Sequence, residues 1–260
     1  MKLENRTFIV SGGSSGLGLA TVEMLVQSKA CVSILDRAPP PSQLSTTPQV
    51  KFLETDITVV SQIEKAVEET VNWTKQTGAI LRGVVNCAGI AAGAKIIDGQ
   101  NEPHPLDLWD FVLAVNLTGT FNLTRLALKH MVRNEPEEGP DGERGVIILV
   151  SSSAAYEAQP GQVAYSATKG ALRSMAMPLA RDLGRHAIRV MAIAPNMFIS
   201  SMTDKLPMKA RKSLEDALVY PRRFGVPVEF AETVKWIVEC VYVNGETVRL
   251  SGASRMPAKM

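Results

Sequence analysis

Two kinds of apolar run alternate along the chain. Residues 7–11 are short, β-branched and apolar, and a cluster of glycines separates them from an amphipathic stretch over Gly16–Gln27. Residues 31–35 and 50–53 read as further strands. Between them lies a loop holding Pro39, Pro40, Pro41 and Pro48, which no helix tolerates. Over 59–77, Ile63, Ala66, Val67, Val71 and Thr74 fall on one helical face. The run 81–85 is apolar without a break, as expected of a strand buried on both sides. Leu106–Met131 reads as two helices meeting near Asn116, and 134–145, rich in acids, proline and glycine, as an exposed loop. A strand at 146–150, a long helix at 162–183 and a strand at 188–193 follow. Residues 197–224 are looser and suit short helices, before a last helix at 230–241 and a last strand at Thr247–Leu250.

This alternation predicts the α/β class: a Rossmann-type doubly wound parallel sheet, helices on both faces, in a single domain over residues 1–260. Ligands are then expected beyond the carboxyl ends of the strands. Composition narrows this little. With 45% hydrophobic and 21% charged residues the balance is that of a soluble globular protein, and a formal charge of +2 is too small to argue for a nucleic-acid or membrane surface, so neither partner is expected. Cys31, Cys87 and Cys240 are too few and too scattered for a disulfide framework, and with His104, His130 and His186 equally scattered no metal site is expected. No apolar run is expected to reach the length of a membrane span, and no presequence is expected before residue 7. The tail Ala258, Lys259 and Met260 resembles a peroxisomal address.

Candidate chemistry begins in the first turn. Gly12, Gly16 and Gly18, with Ser14, Ser15 and Leu17 among them, sit between the first strand and the first helix. Glycines there let the backbone turn sharply and bring helix amides up to a pyrophosphate. Asp36 ends the second strand, where a carboxylate accepts hydrogen bonds from an adenosine ribose and repels a 2′-phosphate. The loop itself carries no basic residue, though Arg37 stands next to that acid. The reading is NAD. Further on, Tyr165 and Lys169 lie four residues apart near the start of a helix and share one face. A nearby cation and the helix N-terminus should lower the phenol pKa towards use as an acid–base. Ser151, Ser152 and Ser153 close the fifth strand, where a hydroxyl is placed to hold a substrate oxygen.

With Asn86-Cys87-Ala88-Gly89 ending strand four and Asn116 in the helical stretch after it, these motifs fall in one order. The whole chain thereby resembles the short-chain dehydrogenase/reductase family. The resemblance implies that Tyr165 is the general acid–base and that Lys169 binds the nicotinamide ribose. Ser152, 13 residues before the tyrosine, would orient the substrate oxygen, and Asn116 would hold a water linking Lys169 to solvent. Asp56 and Ile57 would contact adenine, Asn86, Cys87 and Gly89 would line the ribose, and Pro195, Phe198 and Ser200 would complete the cofactor site. One departure is Asn196 where the family has glycine after its sixth strand. Asparagine tolerates a left-handed backbone, so the turn should survive.

Patches without catalytic roles, among them residues 119–122, 134–136, 180–183, 244–246 and Arg255-Met256, resemble the subgroup of 3-hydroxyacyl-CoA and hydroxysteroid dehydrogenases. That subgroup implies reversible oxidation of an L-3-hydroxyacyl-CoA in fatty-acid or branched-chain amino-acid catabolism. A steroid or other secondary alcohol is the alternative substrate, and a cofactor-binding scaffold with little turnover the alternative role. Residues 197–224 would form a substrate lid. Met197, Phe198, Met202, Leu206 and Met208 would give an adaptable apolar surface, and Lys205, Lys209, Arg211 and Lys212 cations for coenzyme A phosphates. The family implies a homotetramer with the 162–183 helix at one interface, and a mitochondrial location where the tail suggests a peroxisomal one.

Overall fold

Seven parallel strands build one sheet in the order β3-β2-β1-β4-β5-β6-β7. The computed structural model describes residues 1–200, 203 and 208–256. The strands are β1 (Arg6–Ser11), β2 (Cys31–Asp36), β3 (Val50–Glu54), β4 (Ile80–Asn86), β5 (Gly145–Val150), β6 (Ile188–Pro195) and β7 (Thr247–Leu250). Successive side chains of a strand point to opposite faces, so a strand covered on both sides has no polar alternate. Phe8 and Val10 of β1 join the core beneath α1 (Gly16–Gln27) and α8 (Pro227–Glu239). Ile9 between them joins the second core, beneath α3 (Val60–Thr77), α5 (Thr120–Met131) and α6 (Val163–Leu183). In β5, Ile148 and Ile147 divide the same way, each burial contributing ~1.5–3 kcal/mol.

Four local features depart from expectation. A single helical turn, α2 (Ser42–Ser45), forms inside the proline loop, because Pro41 caps it from outside and breaks none of its bonds. Leu106–Met131 is one continuous helical run, α4 (Leu106–Leu113) passing into α5 through a π-helical stretch at Ala114–Gly119, with Asn116 inside the wider turns. That run is long and apolar enough to cross a membrane by length and composition. Half of it is nevertheless buried against protein, the position of a core helix. The acidic loop before β5 is also less exposed than its composition suggests. Glu137 pairs with Arg6 and Arg82, and buried Glu143 lies 2.7 Å from Arg189, whose other donors reach the carbonyls of Ile237, Val238 and Val243. Strand arginines thus recruit acids that the sequence pattern assigns to solvent.

The chain leaves β1 towards β2 and returns to β4 on β1's other side. Neighbouring crossovers therefore run in opposite directions there and open a crevice at the carboxyl ends of both strands.

Candidate active site

A cavity of about 530 Å³ occupies that crevice. Its first wall is the glycine turn between β1 and α1. Gly12 has φ +65°, and a Cβ there would lie 2.8 Å from the Ala88 nitrogen. A Cβ on Gly18 would meet the Gly12 carbonyl at 2.1 Å, so these two glycines are what lets α1 start against β4. Gly16 has φ +53°, with Ser200 Cβ 3.7 Å from where a Cβ would sit, and it faces the cavity with Ser15 and Leu17. The first turn of α1 has no acidic residue, leaving its amides a favourable field for an anion.

Asp36 lies at the carboxyl end of β2, with its carboxylate accepting from the backbone nitrogens of Ser14 (3.1 Å) and Ala38 (3.3 Å). Arg37 is largely exposed, lies 3.8 Å from Asp56 and also lines the cavity. Asp56 accepts from the Thr58 nitrogen and hydroxyl, which hold its pKa below the ordinary carboxylate value. Asp56 and Ile57 both line the cavity, as do Cys87, Ala88 and Gly89. Asn86 does not. Its side chain is buried within the fold, donating to the Thr124 hydroxyl and the Ile148 carbonyl, both 3.3 Å away. The expected ribose contact is corrected to a strut between β4, β5 and α5. The strand's alternation turns Asn86 inward and Cys87 outward.

The opposite wall resolves the serine triplet. The Ser151 hydroxyl donates to the Lys169 carbonyl at 2.7 Å, and Ser153 donates to Asn196 Oδ1 at 2.9 Å. Ser152 lies between them. Its oxygen accepts from the Ala154 nitrogen (3.1 Å) and its side chain is hydrogen-bonded to the Tyr165 phenol. One serine braces α6, one braces the turn after β6, and the middle one reaches the reacting position. Asn196 keeps φ out of the left-handed region and uses its side chain instead, so the departure from glycine is absorbed by a hydrogen bond and not by backbone strain.

Tyr165 and Lys169 stand on the first turns of α6, facing the cavity. The Lys169 ammonium lies 5.7 Å from the centre of the Tyr165 ring and donates to the Val150 carbonyl at 2.8 Å. Burial pushes its pKa down to about 8, against an opposing pull from Cys87. The expected lowering of the phenol does not arise from the protein's own groups. Burial pushes Tyr165 up, and the Ser152 hydrogen bond recovers only part of that. Desolvation outweighs the stabilisation that this hydrogen bond gives the charged form. Burial likewise pushes the Cys87 thiol up to about 12, which leaves it an unreactive wall.

Asn116 is buried behind this pair. Its amide accepts from the Ile90 nitrogen (2.8 Å) and donates to the Ile90 carbonyl (3.0 Å) and the Thr168 hydroxyl (3.2 Å). It therefore joins the exit of β4 to α6. Through these side-chain bonds Asn116 positions the two segments against each other, behind Tyr165 and Lys169. A Cβ on Gly89 would sit 3.2 Å from Asn116 Oδ1 and 3.4 Å from Lys169 Nζ, so glycine is what keeps all three together.

Pro195 at the end of β6 and Met197, Phe198 and Ser200 after it line the cavity, as does buried Leu214 of α7 (Met208–Asp216). Met208 is almost wholly exposed, and Arg211 bonds Glu215 (3.0 Å) and lies against the Phe224 ring. Met202, Lys205, Leu206 and the Lys209 side chain lie outside the described residues. Gln159 and Met256 also line the cavity, and no local motif marks either for that role.

Glycines without room for a Cβ, helix amides at an open turn and a carboxylate at the neighbouring strand end fit a nicotinamide dinucleotide. Comparison with known proteins agrees. The short chain dehydrogenase family model matches residues 6–211. The chain is similar to 3-hydroxyacyl-CoA dehydrogenase type-2 of Bos taurus, 41% identical over 252 residues, covering 95% of this chain and 94% of that protein. The Homo sapiens protein of the same name gives the same identity and coverage. A solved structure of 3-hydroxyacyl-CoA dehydrogenase type-2 from Mycobacterium avium is similar with a TM-score of 0.88 at 30% identity, covering 98% and 97% of the two chains.

Proposed function

Since the chain belongs to the short-chain dehydrogenase family and is an oxidoreductase, we propose that it uses NAD to interconvert L-3-hydroxyacyl-CoA and 3-oxoacyl-CoA thioesters. The observation that carries this reading is the convergence of Ser152, Tyr165 and Lys169 on one end of a cavity whose other end is the glycine turn and Asp36. A bound nicotinamide supplies the hydride acceptor for oxidation and the donor for reduction. The chain's own residues do the rest. Gly12, Gly16 and Gly18 admit the pyrophosphate to the amides of α1, Asp36 takes the adenosine ribose, and Lys169 holds the nicotinamide ribose.

Ser152 orients the substrate oxygen next to the Tyr165 hydroxyl. In reduction Tyr165 donates its proton to that oxygen, a role suited by a phenol that burial keeps protonated. In oxidation Tyr165 must first lose the proton. Lys169, still mostly charged at neutral pH with its pKa near 8, adds its charge to that of the nicotinamide in favouring the tyrosinate. Oxidation therefore gains from rising pH more than reduction does.

The Asp36 carboxylate at the end of β2 disfavours a 2′-phosphate, which supports NAD over NADP. Coenzyme A thioesters are proposed from the relatives' names and from the apolar wall of Met197, Phe198 and Leu214. The working form is proposed to be a homotetramer, supported by exposed Phe121 on α5 and Met177 on α6. Its compartment is proposed as mitochondrial or peroxisomal. Only the sequence tail argues for the second, and Ala258, Lys259 and Met260 lie outside the described residues.

The test is NADH oxidation with acetoacetyl-CoA, beside NADPH and a steroid ketone, with Tyr165→Phe as control. Turnover with acetoacetyl-CoA and NADH, reduced at least ~100-fold in the variant, is expected. Turnover on the steroid alone would replace the substrate and keep the mechanism.

A further inference from the structure

The chain after β7 has no assigned task, yet it returns to the cavity. β7 is the edge of the sheet furthest from β3, so the segment following it emerges at the end away from the ribose acid Asp36. Gly252 and Ala253 then both take the left-handed region, with φ +54° and +63°. For alanine that conformation is strained, and such strain persists only where surrounding contacts fix it. Here they do. The Val219 nitrogen donates to the hydroxyl of buried Ser254 (3.3 Å), and the Tyr220 nitrogen donates to the Gly252 carbonyl (3.3 Å). Arg249 and Arg255 both pair with Glu157, which lies between the Ser152 turn and α6. The reversal carries Met256 to the cavity, which it lines together with the catalytic residues Ser152 and Tyr165.

We propose that residues 251–256 form the far wall of the substrate cleft and that Met256 sets the length of acyl chain the cleft accepts. The inference rests on the acyl-thioester reading for its natural substrates. A half-buried thioether on an anchored segment is a stop with some give. It fills space behind a short chain and must be displaced by a long one. Met256→Ala should open the wall, and Met256→Trp should close it.

The experiment compares kcat/KM for acetoacetyl-CoA and 3-oxodecanoyl-CoA in the wild type and both variants, with NADH dissociation constants and melting temperatures measured alongside. A few methylenes of apolar contact are worth roughly tenfold or more in discrimination. The long-to-short ratio should rise about fivefold or more in Met256→Ala and fall by as much in Met256→Trp, with NADH affinity unchanged. Ratios within about twofold of wild type in both variants overturn the proposal. The same chain lengths run as simple methyl ketones separate the two readings. A wild type silent on both thioesters refutes the acyl-CoA assignment, while the ketone ratios still decide whether Met256 is the wall.

Discussion

Ser152→Ala removes one oxygen from the reacting end of the site and nothing else. The parent hydroxyl accepts from the Ala154 nitrogen at 3.1 Å and is hydrogen-bonded to the Tyr165 phenol, whose pKa it lowers against the rise imposed by burial. A hydrogen bond to a group that becomes charged contributes about 1.5–3 kcal/mol. At about 1.4 kcal/mol per decade, kcat/KM for alcohol oxidation should fall roughly ten- to 150-fold. The same loss should move the rising limb of the pH–rate profile, set by loss of the Tyr165 proton, to higher pH, because the tyrosinate has lost a donor. The assay is kcat/KM for NAD reduction between neutral and alkaline pH, with Ser151→Ala and Ser153→Ala beside it. Those neighbours bond the Lys169 carbonyl and Asn196, so each should cost ~1 kcal/mol of stability without moving the limb. An unmoved limb in Ser152→Ala, or an equal movement in Ser153→Ala, would refute the assignment of the middle serine.

Three further outcomes follow from the same geometry. Lys169→Met should abolish turnover without loss of stability at pH 7, checked by denaturant melts from pH 7 to 10. The folded-state pKa near 8 lies below the ordinary 10.5, so the parent's burial cost is present in full at pH 7 and fades as pH rises through the window from 8 to 10.5. The variant's stability relative to the parent should therefore shrink across that window. Asp36→Ser should cut the preference for NADH over NADPH about tenfold or more, read as a ratio of kcat/KM values, since the carboxylate held by Ser14 and Ala38 is what opposes a 2′-phosphate. Asn86→Ala should cost ~1–3 kcal/mol in urea melts by orphaning Thr124 and the Ile148 carbonyl, while the dissociation constant for NADH stays within about threefold. A large loss of NADH affinity would restore Asn86 to the cofactor site.

Much of this protein is legible in one dimension because the responsible forces are local or periodic. Unbroken apolar runs such as 81–85 declare strands buried on both faces, and the order of strands and helices declares the doubly wound sheet. The glycine turn, Asp36 and the four-residue step from Tyr165 to Lys169 declare the chemistry, because backbone room and helical repeat are properties of a short segment. Other features depend on what the fold brings alongside. The family resemblance points to Ser152, but what the other two serines do is settled only where Lys169 and Asn196 take their hydroxyls. Whether Asn86 faces cofactor or core depends on where Thr124 and Ile148 stand, and the buried acids of 134–145 depend on arginines of distant strands. The phenol's pKa is set by desolvation, a sum over surrounding atoms that no motif encodes. Met256 reaches the cleft only because the sheet ends at β7 and the chain reverses there. Periodicity and motif thus determined the fold and the reacting residues, while the partners of each polar group, and with them its role, were decided by contacts between segments far apart in sequence.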